Sequence, residues 1–328
     1  MRRAGSDRRR IAAAVTAVAV ACAGAGAGAQ EPYPNRTVEM IVPFAAGGGT
    51  DLIARLLSDG LSRRLGQSFV AINRPGANTN LGTQMVVRAA PDGYSLVMAS
   101  IGLAANPALY RKLPFNPQTD LAPISLIANS PTILVVHPSL PVNSVAAFIS
   151  YVKARPGDLN YASYGVGSGP HLAAEMFQAA TGTRIVHIPF NGGGPAAVAV
   201  LSNNVQMLFS SVLPVLSMIR SGTLKPIAIA SDRRLALLPD VPTFRENGVD
   251  YKTGTWFGLL APAATPAAIV ARLHAATADV LADAGTRDKL IEQGAEIVAD
   301  SPAEFRQFIK DESDRLSAVI RSANIHID

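Results

Sequence analysis

Short apolar runs alternate with segments of helical periodicity along most of the chain. The first run, Val38–Phe44, is typical of a buried strand, and apolar residues at helical spacing follow from Leu52 to Leu65. The same pattern predicts strands at 69–72, 95–99, 131–137, 159–163, 184–190, 205–210, 225–230 and 255–261, and helices at 81–90, 144–155, 170–180, 195–201, 212–220, 267–282, 286–293 and 302–322. Strands that alternate with helices predict an α/β fold with parallel sheets flanked by helices.

Three of the predicted strands run through a glycine-rich loop directly into a helix. The loops are Ala45–Asp51, Tyr164–His171 and Asn191–Pro195. A helix start leaves backbone N–H groups unpaired, and the helix dipole adds partial positive charge, so each loop is a candidate anion site. One such loop is equally well explained as a simple turn, whereas three loops at strand ends predict a common ligand cleft. Thr50 or Asp51 is predicted to cap the first helix through a side-chain oxygen.

The N-terminus has the three parts of a signal peptide, which we predict for residues 1–29. Five arginines precede the apolar stretch Ile11–Ala21, and Ala27-Gly28-Ala29 matches a small-residue cleavage site. Because the stretch is mostly Ala and Gly, a permanent membrane anchor is the weaker interpretation. Cys22 matches a lipoprotein cleavage box only loosely. We therefore predict export to the periplasm, with the general secretory route favoured and the twin-arginine route left open.

The net charge of the chain comes mostly from this predicted leader. The whole sequence carries 29 basic and 24 acidic residues, a formal net charge of +5. The leader holds five arginines and one aspartate, which leaves 24 basic against 23 acidic residues and a net charge of +1. No basic face remains to predict a nucleic-acid partner. The single cysteine, Cys22, also lies in the leader, so we expect no disulfide and no cysteine nucleophile in the mature protein.

The residues that could take part in catalysis or bind a metal form no recognisable motif. Gly165-Val166-Gly167 begins like a dinucleotide fingerprint, but its third glycine comes one position early and no acidic residue ends the next strand. The Gly-x-Ser-x-Gly elbow of serine hydrolases is absent around Ser168. The histidines lack metal-ligand spacing, and His187 is predicted to be a satisfied core residue. We therefore predict a binding protein without catalytic residues, metal or cofactor; an α/β enzyme acting on a carboxylic acid is the remote alternative.

Several motifs together resemble one protein family over nearly the whole mature chain. They are VPFAAGGGTD at 42–51, NRPGA at 73–77, NPALY at 106–110, YGVGSGPH at 164–171, HIPF at 187–190 and LPDVPT at 238–243. This combination resembles the extracytoplasmic solute receptors of the tripartite tricarboxylate transporter system, the Bug receptors. The resemblance implies a two-lobed periplasmic-binding-protein fold, type II-like, in which each lobe is a mainly parallel sheet flanked by helices and two crossover strands form the hinge.

The predicted helical tail of the chain is expected to return and cover the first lobe. The implied domains are residues 30–130 with 254–328 as lobe 1, and residues 131–253 as lobe 2. The hinges are expected near 128–131 and 252–256.

The resemblance also implies which residues hold a carboxylate through backbone N–H groups, hydroxyls and water. Asp51 is expected to cap its helix while its backbone amide faces the ligand. The identity of the acid is expected to depend on the wall near Phe190, Asn191 and Ser210. Carried over onto this sequence, the full set is Ala46, Gly47, Gly48, Thr50, Asp51, Asn80, Ser100, Tyr164, Gly167, Ser168, His171, Phe190, Asn191 and Ser210.

Departures from the family pattern restrict the range of ligands that we predict. Family members commonly carry a basic residue where this chain has Asn191, and often acidic residues where it has Gln206 and Ser210. We therefore expect a mono- or dicarboxylate without a free amino group, with aromatic acids among the candidates. The resemblance further implies a monomer that delivers its ligand to permease subunits in the membrane. Service as a ligand sensor for a membrane histidine kinase is the alternative.

Overall fold

The computed structural model describes residues 33–292, 294–322 and 324–327. The predicted signal peptide, its cleavage site near Ala29 and Cys22 lie outside the described residues. The chain from residue 36 onward makes up one unit. Within the described residues, every helix is too short or too polar to cross a membrane.

Strands and helices alternate from Val38 onward, as the hydrophobic pattern predicts. The strands are β1 (Val38–Val42), β2 (Phe69–Asn73), β3 (Ser95–Ala99), β4 (Leu121–Val136), β5 (Asn160–Ser163), β6 (Val186–Pro189), β7 (Met207–Ser211), β8 (Lys225–Ile229), β9 (Gly254–Pro262) and β10 (Glu296–Ile297). The helices are α1 (Gly49–Leu65), α2 (Asn80–Val87), α3 (Gly102–Leu109), α4 (Val145–Lys153), α5 (Gly169–Thr181), α6 (Gly193–Leu201), α7 (Leu216–Arg220), α8 (Ala267–Ala282), α9 (Ala284–Glu292) and α10 (Pro302–Ser322).

One mixed sheet carries the strands in the order β2-β1-β3-β9-β4-β7-β5-β6, and β8 and β10 both pair with β4. The first strand group is parallel, with β1 between β2 and β3, and the second is parallel, with β5 between β6 and β7. Between the groups, β9 runs antiparallel to β3 and β4, and β4 runs antiparallel to β7 and β8. The predicted α/β class, with flanking helices and two crossover strands, is confirmed.

β4 is longer than the sequence predicts. The prediction placed a strand only at 131–137; proline lacks a backbone donor and is uncommon inside a sheet. In the structure β4 continues through Pro123 and Pro131 and is buried along almost its whole length of 16 residues. A register shift beside Pro123 accommodates the missing donor. β4 pairs with β9 from Leu121 to Pro131 and with β7 from Thr132 to Val136, so it links the two strand groups.

The long C-terminal helix α10 returns to pack against α3 and β4. Its side chains Phe305 and Leu316 are buried in the same apolar cluster as Leu103 and Trp256. Trp256 meets Phe305 edge to face, with the ring centroids 5.8 Å apart. A Cβ on Gly258 of β9 would lie 2.0 Å from Cζ of Phe305, so only glycine fits beneath that ring. Trp256 is therefore a core residue and not a stacking platform for ligand.

Candidate binding site

The first glycine loop joins β1 to α1 and is held by Asp51. Gly48 precedes the helix and no side chain caps the helix start, so the predicted cap by Thr50 or Asp51 is wrong. Asp51 is the third residue of the helix, and its carboxylate reaches back to accept the Gly47 N–H at 3.0 Å. Gly47 has φ +83°, a conformation that favours glycine. The Gly47 amide is therefore engaged within the loop and does not face a ligand freely.

Two further donors bind the buried Asp51 carboxylate. Arg55 Nε donates to Oδ2 at 3.1 Å, and Asn73 Nδ2 donates to Oδ1 at 2.9 Å. Burial alone would raise the pKa of Asp51, but the hydrogen bonds from Arg55, Gly47 and Asn73 outweigh burial and lower the pKa. Asp51 is thus an ionised anchor that ties together the loop, α1 and the end of β2.

We expect Asp51→Ala to lower the free energy of unfolding by about 1.5–3 kcal/mol, because the buried carboxylate loses its hydrogen bonds from the half-buried Asn73 and from the exposed Gly47 and Arg55. Urea unfolding followed by circular dichroism measures the loss. Asp59→Ala, at an exposed position of the same helix, is the matched control. It should cost less than about 0.5 kcal/mol. Equal losses for the two variants would contradict the anchoring role of Asp51.

The second glycine loop joins β5 to α5 and is fixed by side chains from its own neighbourhood. Ser163 Oγ accepts the Gly165 N–H at 3.1 Å, and Ser168 Oγ donates to the Gly165 carbonyl at 2.6 Å. His171 Nδ1 accepts the Gly167 N–H at 2.9 Å. The predicted ligand residues Gly167 and His171 are therefore bonded to each other behind the loop.

Two stacked histidines support this loop. The rings of His171 and His187 lie 4.1 Å apart, and His187 Nε2 is 2.5 Å from Ser163 Oγ, so His187 has a polar partner as predicted, although its side chain is half-buried rather than in the core. Burial lowers the pKa of His171 to about 4. Burial, and secondarily the nearby His171, lower the pKa of His187 to about 3. Both rings are neutral at pH 7, so His171 positions Gly167 as a neutral acceptor and offers no positive charge to an anion.

The third glycine loop, which precedes α6, packs directly on the first. A Cβ on Gly193 would lie 3.4 Å from Gly48 Cα, and a Cβ on Gly194 would lie 3.3 Å from the Ala46 carbonyl oxygen. The predicted residues Ala46 and Gly48 therefore contact the opposite glycine loop. Only residues without a bulky side chain permit this approach of two backbones.

A small buried cavity, here called the inner cavity, lies where the starts of α1 and α5 meet the crossover strands. Its volume is about 20 Å³, room for one small group. Hydroxyl groups supply most of its polar lining, and the predicted residues Thr50, Ser100, Tyr164 and Ser168 are among them. The lining consists of Phe44, Gly49, Thr50, Ser100, Ile101, Thr132, Tyr164, Ser168, Gly169, Pro170, Ser211, Gly254, Thr255 and Phe257.

A larger cavity, here called the outer cavity, opens beside the inner one and shares Phe44 and Tyr164 with it. Its volume is about 300 Å³. The predicted residues Phe190 and Asn191 lie in its wall. The lining consists of Pro43, Phe44, Pro75, Gly76, Ala77, Asn78, Thr79, Tyr110, Tyr164, Gly165, Val166, Pro189, Phe190, Asn191, Gly192 and Ile327.

Neither cavity is lined by an Asp, Glu, Lys, Arg or His side chain from the described residues. Burial raises the pKa of Tyr164 to about 12, so its hydroxyl stays neutral. Groups of three or more potential metal ligands are also absent from the part of the chain that the structure describes. An anion in these cavities would be held by backbone N–H groups, hydroxyls and the positive ends of two helices.

The turn before α2 forms one wall of the outer cavity and holds a strained backbone. Ala77, Asn78 and Thr79 have φ of 45°, 48° and 75°. Such strain in residues other than glycine concentrates at ligand sites. The predicted ligand residue Asn80 accepts from Asn106 Nδ2 at 2.6 Å, and Asn106 Nδ2 also donates to the Asn78 carbonyl at 2.8 Å. Asn80 therefore supports the turn and lines neither cavity.

Three polar residues of the inner cavity are not predicted from the sequence: Thr132, Ser211 and Thr255. Thr132 and Thr255 lie on β4 and β9, and only long-range pairing brings them to the cavity. Ser211 follows the predicted Ser210. Ser211 lines the inner cavity, while Ser210 Oγ lies 2.5 Å from the hydroxyl of Tyr164, another residue of the cavity wall. The prediction therefore reaches the correct end of β7 but misses the residue that lines the cavity.

The sequence and the fold of this chain are similar to those of known solute receptors. The family model described as "Tripartite tricarboxylate transporter family receptor" matches residues 53–325. Protein BugT of Bordetella pertussis is 38% identical over 292 residues, which are 88% of this chain and 90% of BugT. The solved structure of an R. palustris protein with adipate is 35% identical, with a TM-score of 0.87 and coverage of 90% of this chain and 99% of that chain. MatC from Rhodopseudomonas palustris with bound malate is 33% identical, with a TM-score of 0.84 and coverage of 88% and 100%.

Proposed function

We propose that this chain, which belongs to the tripartite tricarboxylate transporter receptor family, is an exported receptor that captures a small organic carboxylate and delivers it to permease subunits. The family is periplasmic and consists of substrate-binding receptors rather than enzymes. In this proposal residues 1–29 are the signal peptide that takes the chain to the periplasm. The mature protein acts as a monomer.

The inner cavity is the observation that carries the proposal. The starts of α1 and α5 converge there with the hydroxyls of Ser100, Ser211 and Thr255, and among the described residues none of the side chains that line it is acidic. Two helix starts and several hydroxyls offer many donors to two carboxylate oxygens. The adipate and malate held by the two relatives belong to the same chemical class.

Capture in this proposal is closure of two lobes, residues 30–130 with 254–328 and residues 131–253. The change of β4 from pairing with β9 to pairing with β7, between Pro131 and Thr132, supports this boundary. The inner cavity takes Thr50 from lobe 1 and Ser168 from lobe 2. A ligand between them contacts both lobes only in the closed state and shifts the population toward it.

Isothermal titration calorimetry on the chain without residues 1–29 tests the proposal. Small carboxylic acids should bind, while the matching neutral amides, such as hexanamide for hexanoate, should not. Thr132→Val and Ser211→Ala should each weaken binding about tenfold by removing one donor. Ser217→Ala, at an exposed position on α7, is the matched control and should bind normally.

The absence of binding by every acid, or exclusive tight binding of aspartate or glutamate, would overturn the proposed ligand class. Delivery is tested separately by uptake. A strain without this chain should lose uptake of the bound acid while keeping transcriptional responses to it. The opposite outcome, normal uptake with a lost response, would assign the chain to a sensor kinase.

A further inference from the structure

We infer that the ligand is a carboxylate whose far end carries no charge, with a ring or an alkyl group in the outer cavity. This inference rests on the function proposed above and specifies the chemistry of its ligand. It follows from the different character of the two connected cavities.

The inner cavity has room for one charged head group and no more. Its volume is about 20 Å³, and its polar lining comes from two helix starts and hydroxyls. Ser100 Oγ and Thr255 Oγ1 lie 2.9 Å apart, so hydroxyls from β9 and from the segment after β3 already meet at its wall. One carboxylate fills such a space and places the rest of the ligand on the side of Phe44 and Tyr164, the two residues that border both cavities.

The outer cavity presents flat apolar surfaces to the rest of the ligand. Phe44, Tyr110, Tyr164 and Phe190 contribute aromatic rings, and three prolines add rigid apolar edges. Its side-chain amides come from Asn78 and Asn191. Aromatic walls of this kind favour rings and alkyl chains, and the amides suit a hydroxyl or carbonyl group.

A second carboxylate would find no cation in the outer cavity wall. The neighbouring Arg74 is exposed and does not line the cavity, and an exposed cation contributes little to an ion pair. α6 begins beside the cavity, but the first glycine loop covers this helix start. A Cβ on Gly193 would lie only 3.4 Å from Gly48 Cα. A charge at the far end would thus exchange its water for neutral amide and hydroxyl groups, such as those of Asn78 and Asn191, without gaining a cation, which opposes binding.

Matched pairs of acids test the inference by calorimetry at pH 7.5 and constant ionic strength. The pairs are hexanoate against adipate and benzoate against terephthalate, so that each pair differs by one distal carboxylate. Each monoacid should bind at least about tenfold more tightly than its diacid. Equal or tighter binding of the diacids would overturn the inference and leave the proposed receptor function standing. If neither member of either pair binds, the inference is overturned as well, while the receptor function is judged by the wider set of acids tested above.

A variant of the outer cavity provides a second test. Asn191→Arg places a cation where the far end of the ligand is inferred to lie, so the affinity for adipate should rise about tenfold relative to hexanoate. Asn191→Gln, which keeps an amide, is the matched control and should leave the ratio of the two affinities unchanged. An unchanged ratio for Asn191→Arg would show that the far end of the ligand lies elsewhere.

Discussion

Gly167→Ala is expected to weaken ligand binding about 100-fold while the protein remains folded. Gly167 lies in the second glycine loop with φ +76°. A Cβ there would lie 2.2 Å from Leu109 Cδ1 and 2.8 Å from Asn78 Nδ2. Both neighbours belong to the proposed lobe 1, whereas Gly167 belongs to the proposed lobe 2. The added methyl group therefore obstructs the closed arrangement of the lobes, and it also presses on Leu109, which is buried in the same apolar cluster as Phe305.

Gly182→Ala is the matched control for this variant. Gly182 also has a left-handed backbone, with φ +63°, but a Cβ there would meet nothing within 4 Å. Both variants should lose about 1 kcal/mol of unfolding free energy through backbone strain. Only Gly167→Ala should lose affinity in calorimetry and the ligand-induced decrease in radius of gyration in small-angle scattering. Normal affinity of Gly167→Ala would show that this contact is not part of the ligand-bound state.

The fold is largely predictable from hydrophobic periodicity because most of its elements are local. Two of the elements that the sequence misjudges contain proline; the short strand β10 is not predicted either. β4 continues through Pro123 and Pro131 because its pairing with β9 compensates for the missing donors. α3 is not predicted, and it contains Pro107 within its eight residues. In both cases tertiary packing outweighs the tendency of proline to interrupt a strand or a helix, and a prediction from the sequence relies on that tendency.

The lining of the inner cavity is predictable at the glycine loops and less so elsewhere. Thr50 and Ser168 follow from helix starts, because a strand, a glycine loop and a helix are consecutive in the chain. The sequence does not reveal that His171 supports Gly167 from behind, since that depends on which face of α5 is buried. Ser211 is missed by one position along β7, and Thr255 by the pairing of distant strands. Cavity residues whose position depends on the neighbouring sequence can thus be predicted, whereas cavity residues whose position depends on long-range contacts cannot.

The free energy of unfolding is expected to fall by about 3–5 kcal/mol as the pH drops from 7 to 4, because of the stacked pair His171 and His187. Burial lowers the pKa of these histidines to about 4 and about 3. A histidine in the unfolded chain has a pKa of about 6.5. Below that pH the unfolded chain therefore binds protons, whereas the two stacked rings of the folded chain stay unprotonated. Stability contributed by the neutral pair is therefore complete above pH 7 and is lost progressively on acidification.

The neighbours of His171 and His187 do not favour the charged rings, and other titrating groups lose their contribution to stability in a different pH range. Tyr161 stacks on His187 at 4.9 Å, and Glu175 lies 3.9 Å from His171 Nε2, too far for a strong bond that would favour the charged ring. Carboxylates with a lowered pKa, such as Asp51, add their own loss as the pH falls below about 5, through the range of an unfolded aspartate. The decrease in the free energy of unfolding that begins at about pH 6.5 is therefore due to histidine.

Urea unfolding of His171→Gln/His187→Gln between pH 4 and 7.5 tests this assignment. The double variant should be less stable than the parent at pH 7, yet its stability should change far less between pH 6.5 and 4.5, because glutamine does not titrate. His326→Gln removes an exposed histidine and should keep the full slope of the parent. If the double variant retains that slope as well, the acid sensitivity arises elsewhere, and the neutral pair behind the Gly167 loop does not stabilise the fold in the way its burial implies.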